Sequence, residues 1–285
     1  MVLKPIKRSI VPSPLEDQRG FDDFVTQYLN KCDDLISYTR RYPVVRENGR
    51  VRVQRQNRNP HEDHRWLRRD VATEASYDEL KSVLFVNRAD HQPRWMPQMA
   101  SCERIEPIVP GLCEVFRLSF RSSGLKAKRD YCQLVVKREF LGEHARPKPR
   151  LFTPSASMAS LALQSSVNLA EPTSPTGDSR FAGLGSTERS SEDNSVPVRP
   201  IRRFQVVTIP MLHSSCTPQR GHVRAFFESY EEVREYPDGH VEWTCIHHSD
   251  FAGWVPSVLA DHSIATAFPK EADALLDYVL RARPA

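Results

Sequence analysis

The stretch Glu235-Tyr-Pro-Asp-Gly-His-Val-Glu-Trp-Thr-Cys-Ile-His247 decides the fold. Pro237-Asp238-Gly239 is turn chemistry: proline presets one backbone dihedral, and glycine accepts the positive φ that a tight reversal needs. Residues 240–247 return as a strand, with Val241, Trp243 and Cys245 on one face and Glu242 and Thr244 on the other. Upstream, Gly221 to Tyr230 carries β-branched and aromatic residues in partial alternation, and Glu231 to Tyr236 continues in extended style. Downstream, the strand ends at Asp250-Phe-Ala-Gly253, and a Gly253-Trp-Val-Pro256 corner opens a helix whose first turn tolerates Pro256. Val258, Leu259, Ile264, Ala267, Phe268, Ala272, Leu275, Leu276, Val279 and Leu280 then fall mainly at helical spacing, a stripe wide enough to lie across a sheet. Pro269 lacks an N–H and clashes with the carbonyl four residues back, so it is predicted to kink this helix or split it. A curved antiparallel sheet closed by a C-terminal helix makes a hollow protein. Without a catalytic constellation, a hollow protein reads as a container.

Working outward, residues 1–19 read as a disordered N-terminus and 20–63 as a helical and hairpin extension that packs on the domain. Phe21, Phe24, Val25, Tyr28, Leu29, Cys32, Leu35 and Ile36 repeat at three and four, an amphipathic helix with Asp22 and Asp23 favourable near its start. Asn48-Gly49 between Val44-Val45-Arg46 and Val51-Arg52-Val53 signals a hairpin. Trp66 to Val71 reads as a strand, Tyr77 to Phe85 as a short helix, and 113–120, 131–137 and 204–209 as strands. Residues 142–200 are rich in Ser, Pro, Thr and Gly and poor in aromatics, too little apolar surface to offset ordering entropy. They read as a disordered insertion. Because a strand resumes at Phe204, the insertion interrupts one domain, 64–141 with 201–283.

Composition narrows the function. The charged and apolar fractions of this 285-residue chain are those of a soluble globular protein. No apolar run approaches the roughly 20 residues of a membrane span. The first residues lack the apolar core of a secretory signal. Six cysteines without a Cys-x-x-Cys pair favour reduced thiols and a cytoplasmic setting. The net charge of +4 is too small to imply nucleic acid.

Several motifs share an order and spacing: Gln92-Pro-Arg-Trp95-Met-Pro, Lys128-Arg-Asp-Tyr131, Pro218-x-Arg220-Gly221-x-Val223-Arg224, Tyr230-Glu-Glu-Val-Arg-Glu, Val241-Glu-Trp243 and Ser249-Asp250-x-x-Gly253-Trp-Val-Pro256. Together they resemble the START-like (helix-grip) superfamily of lipid-binding domains. They are most similar to DUF3074, a fungal START-like family of uncharacterised function, from about His64 to Leu280 excluding the insertion. Met96, Ala252 and Trp254 depart from its pattern. The resemblance implies an α+β, START/Bet v 1-like antiparallel sheet gripping a long C-terminal helix over an apolar tunnel. It carries no catalytic set, so the expected function is non-enzymatic binding, and transfer, of a lipid or other hydrophobic molecule.

Such a container needs a dry cavity, since burial gains roughly 25 cal/mol per Å². It also needs a few orienting polar groups and a mobile lid. Val241, Trp243, Cys245, Val258, Leu259 and Phe268 are candidate walls, with Trp95 near the mouth and Trp254 at the corner. Ordinary core packing is the simpler reading of each. His222, Arg224 and Glu228 share a strand face and are candidates to meet a polar head group, Arg224 foremost, with solvent-facing pairs as the simpler reading. No cofactor or metal is expected: adjacent His247 and His248 point to opposite strand faces, and His61 with His64 lacks the His-Glu-x-x-His spacing. The basic run Arg40, Arg41, Arg46, Arg50, Arg52, Arg55 and Arg58 suits an anionic membrane surface better than nucleic acid. Two alternatives remain open. One is an enzyme of the polyketide cyclase or hydrolase type using His222, His247 or Asp250. The other is an interaction scaffold with a vestigial cavity.

Overall fold

The computed structural model describes residues 3–57, 65–121, 127–145, 198–250 and 257–283. Arg58, His61, His64, Trp254, the corner ending at Pro256 and the insertion between 146 and 197 lie outside the described residues, as do the side chains of Val258 and Leu259.

The strands are β1 (Ile6–Lys7), β2 (Val44–Asn48), β3 (Val51–Arg55), β4 (Leu67–Thr73), β5 (Met99–Val109), β6 (Cys113–Phe120), β7 (Lys128–Leu141), β8 (Arg202–Leu212), β9 (His222–Arg224), β10 (Phe226–Glu235) and β11 (Val241–Asp250). The helices are α1 (Gln18–Thr39), α2 (Tyr77–Leu80), α3 (Arg88–Trp95) and α4 (Ser257–Arg281), with a six-residue π turn at Lys81–Val86. One sheet runs in the order β2-β3-β4-β11-β10-β8-β7-β6-β5, antiparallel throughout this path. The short β1 and β9 join it in parallel, on β8 and β7.

Local chemistry explains the elements. Asp17 caps α1 by accepting from the Gly20 amide at 2.8 Å. A Cβ at Gly20 would stand 2.1 Å from the Asp17 carboxylate, so any larger residue there would push the capping side chain aside. Ser76 and Glu79 form a reciprocal capping box on α2. Gly49 and Gly239 take φ of +53° and +83° at the two hairpin reversals.

Two apolar cores lie on opposite faces of the sheet. On the α1 face, Phe21, Val25, Leu29, Leu35 and Ile36 meet Val115, Leu134, Val207, Tyr230 and Ile246. On the α4 face, Phe268, Ala272, Leu275, Leu276 and Val279 meet Val71, Val233, Val241 and Trp243, joined by α2, the π turn and Trp95.

Two expectations change. The N-terminal segment is not disordered: Ile6 and Lys7 pair with Met211 and Leu212, Val11 is buried, and Arg8 grips Glu106 at 2.6 Å. Ladder hydrogen bonds and a buried apolar anchor hold what composition alone suggested was loose. Pro269 does not split the C-terminal helix, which is one element from 257 to 281. Burial of Phe268, Ala272 and Leu275 on both sides of the proline keeps the two halves on the sheet. The Asn48–Gly49 hairpin extends the sheet, since β3 pairs with β4.

Candidate functional site

Period-2 alternation makes each register line of the sheet a row of side chains on one face. On the α4 face, Val71, Trp243, Val233 and Phe204 form an apolar row across β4, β11, β10 and β8. The next row reads Arg69, Cys245, Glu231, Val206 and Lys137, adding β7. The row after that reads Leu67, His247, Ser229, Thr208 and Val135. Charge thus sits in the middle of a buried face. Burying ions there costs several kcal/mol each unless they are well paired, so packing alone does not favour it.

Each charge has partners, but incompletely. Arg88 of α3 donates from Nη2 to Glu231 Oε1 at 2.7 Å, with both side chains buried or nearly so. Arg69 lies over the rings of Trp243 and Phe268, 4.3 and 4.4 Å from their centroids. Its Nη1 donates to the Phe268 carbonyl and stands 3.9 Å from Glu271 Oε2. Lys137 Nζ donates to the Phe85 carbonyl at 2.7 Å and lies 3.8 Å from Glu114. Arg69 Nε, Arg88 Nη1, the indole nitrogens of Trp95 and Trp243, Gln133 Oε1, Thr208 Oγ1 and Ser249 Oγ are buried without a hydrogen-bond partner.

The electrostatics follow from depth. Burial pushes the Glu271 carboxyl up to about 7, Glu231 pushing the same way and Arg69 opposing. Burial pushes His247 down to about 3, aided by His248 and Arg69. Cys245 is raised by burial. Glu271 nevertheless keeps 36% of its side-chain surface accessible, and His247 is only half-buried. Two small cavities adjoin this region. One, about 40 Å³, lies among Asn87, Arg88, Arg104, Glu114 and Lys137. The other, about 10 Å³, lies among Arg88, Gln92, Cys102, Thr208 and Phe227. Each has room for a few waters at most.

The residues expected from sequence divide into two groups. Val241, Trp243, Cys245, Phe268 and Trp95 all lie on the α4 face, but at 1–5% exposure they are packed core and not an open lining. Arg224 lies elsewhere, paired with Asp130 at 2.8 Å and bonded to the Cys216 carbonyl. Glu228 bonds Lys31 of α1 and Tyr230. The reason is alternation: Phe227, Ser229 and Glu231 point to α4, so Glu228 points away. His247 does face α4, near Phe227 and Phe268, whereas His248 stacks on Trp66 on the other side. Among the described residues no cluster of three metal-ligating groups occurs. Sequence reasoning missed Arg69, Glu231, Arg88 and Glu271. The available signal was charge at inward strand positions, Arg69 between Leu67 and Val71 and Glu231 between Ser229 and Val233.

A sheet with one helix along its outer face and a long C-terminal helix across the other is the START-like, helix-grip fold. Human StAR-related lipid transfer protein 5 superposes with a TM-score of 0.61 at 14% identity, covering 92% of this chain and 99% of that one. Human STARD10 gives 0.60 at 11% identity, with 92% and 80% covered. A STAR-related lipid transfer protein fragment from Xanthomonas axonopodis gives 0.54 at 14% identity, with 84% and 98% covered. At such identities the likeness defines the fold alone. The profile of the family described as protein of unknown function (DUF3074) matches residues 61–279, and the chain belongs to that family. No curated protein matches it by sequence.

Proposed function

We propose that this protein binds a lipid or other apolar amphiphile between the sheet and α4, and passes it on without chemical change. The observation that carries this reading is the α4 face itself: a long C-terminal helix laid across a sheet whose covered side buries the incompletely partnered Arg69 and Arg88 beside apolar core. Structures of lipid-transfer proteins with the same fold support it. Neither of these two small cavities is large enough for an alkyl chain. The test is to express the chain, extract it with organic solvent and analyse the extract by mass spectrometry, then to reload stripped protein. A stoichiometric apolar molecule, or saturable reloading, is expected; failure of both removes the carrier reading.

Catalysis in the same space is the second reading, favoured by Glu271, whose pKa near 7 suits general acid–base work. His247 fits that role poorly, because a base with a pKa near 3 scarcely takes up a proton at neutrality.

No helix among the described residues is long and apolar enough to cross a membrane. A cytoplasmic protein touching anionic bilayers peripherally would use the exposed Val44 and Val45 of edge strand β2 with Arg41 and Arg46, each cation contributing about 1 kcal/mol. Arg50 and Arg52 are already engaged by Asp273, Asp277 and Glu47.

A further inference from the structure

The polar atoms left over on the α4 face are mostly of one kind. Arg69 Nε, Arg88 Nη1 and the Nε1 atoms of Trp95 and Trp243 are donors that cannot accept. Against these four stands one acceptor without a partner among the described residues, Gln133 Oε1, because Glu114 Oε1 already lies 2.9 Å from Arg104 Nε. Thr208 and Ser249 hydroxyls serve either role.

Charge shows the same bias. Lys137 and Glu114 balance each other across 3.8 Å. Arg69 and Arg88 bring two positive charges to the rung, and Glu231 brings one negative charge, already bonded to Arg88. Glu271, the second carboxyl, is 3.9 Å from Arg69, and burial raises it to about 7, so below neutrality it is mostly uncharged. A buried guanidinium without a full counter-charge is costly to keep. Arg88 and Thr208, each with an unpartnered polar atom, both line the smaller cavity, beside Phe116 and Phe227.

Resting on the reading that this face receives an amphiphile, we propose that the ligand carries a negatively charged head rich in acceptors, a carboxylate or a phosphate monoester. The head docks on the Arg88–Glu231–Arg69 rung, and the chain runs against Phe116 and Phe227. The head supplies the acceptors and the negative charge that the protein lacks there. A neutral alcohol satisfies fewer of the donors, and a cationic head meets like charge.

The test is displacement of a neutral solvatochromic dye from stripped, full-length protein at pH 6.5. Four twelve-carbon probes are compared: dodecanoic acid, dodecyl phosphate, dodecanol and dodecyltrimethylammonium. The acid or the phosphate is expected to bind at least tenfold more tightly than the alcohol, with the ammonium weakest; whichever anion binds better identifies the head. In Arg88→Met/Glu231→Leu, which removes both members of the hydrogen-bonded pair and leaves the Arg69–Glu271 contact in place, the preference for the anion should fall below threefold. Equal binding of acid, alcohol and ammonium overturns the head-group inference while leaving the carrier reading intact. Full anion preference in the double variant overturns the assignment to this rung. Failure of all four probes to displace the dye overturns the carrier reading and this inference together.

Discussion

The two faces of the sheet both bury charge, but they treat it differently. Under α1, Arg203 donates to Asp33 and Glu232, and Gln205 donates to the same two carboxylates. Arg68 forks onto Asp70 and also reaches the Ile36 carbonyl and Thr39. Helix and sheet are clamped by networks in which each guanidinium meets carboxylates directly, although Arg203 Nε is left without a hydrogen-bond partner. Under α4 Arg69 meets a backbone carbonyl and two rings with a carboxylate no nearer than 3.9 Å, and Arg88 meets a single carboxylate. The first arrangement fixes an element in place; the second leaves its guanidiniums short of negative charge, which the proposed anionic head would supply.

That contrast breaks most readily at Arg203. Arg203→Met leaves Asp33 and Glu232 facing each other in a buried site and should cost about 3–5 kcal/mol in urea unfolding. A loss below about 1 kcal/mol would show that the α1 clamp is not a clamp.

Acidity separates the faces next. Lys31 and His248 hold Glu228 down to about 2, from an ordinary 4.5, against the opposing effect of burial. A depressed carboxyl stabilises above its unfolded pKa, and that stability, on the order of 3 kcal/mol, drains away as pH falls from about 4.5 towards 2. Glu271 behaves oppositely. Its raised pKa means that the folded state holds a proton the unfolded state has released, so its contribution worsens as pH rises from about 4.5 through 7. Glu228→Gln should flatten the acid limb of the urea-midpoint profile, and Glu271→Gln the limb approaching neutrality. A single limb flattened by both substitutions would contradict the separation.

Smaller effects sharpen the comparison. Asp17→Ala removes the cap of α1 and should cost about 1 kcal/mol by denaturant melting. On the α4 face, Arg88→Met/Glu231→Leu replaces an ion pair by apolar volume and should leave ligand-free stability within about 1 kcal/mol of the parent. A large loss there would assign the pair to architecture.

Much of the architecture can be read from the chain because its signals are local. The Pro237–Gly239 reversal, the Asn48–Gly49 hairpin and the three-four spacing of α1 each need only a few neighbouring residues. Strand β5 offers no such signal: as a sheet edge it is exposed or half-buried along most of its length, and Pro107 interrupts its pattern. Helix α3 hides for a similar reason, with Pro93 inside eight mostly polar residues. The rung of Arg69, Glu231 and Lys137 exists only after β4, β11, β10, β8 and β7 have paired in register. That register is set by contacts distant in sequence. Arg224 looked suitable because its charge is visible, but Asp130, which takes that charge, arrives from another strand.

Leu141 and Arg202 are direct partners at the ends of β7 and β8, and the Gly142 amide donates to the Ile201 carbonyl at 3.0 Å. Chain exit and chain return are therefore stitched together before residue 146 and after residue 197. The free energy of closing a connection grows only with the logarithm of its length, so the domain is nearly indifferent to how much polypeptide is threaded between those stitches. This junction is a port at which sequence can lengthen, shorten or diversify while the rung under α4 stays as it is.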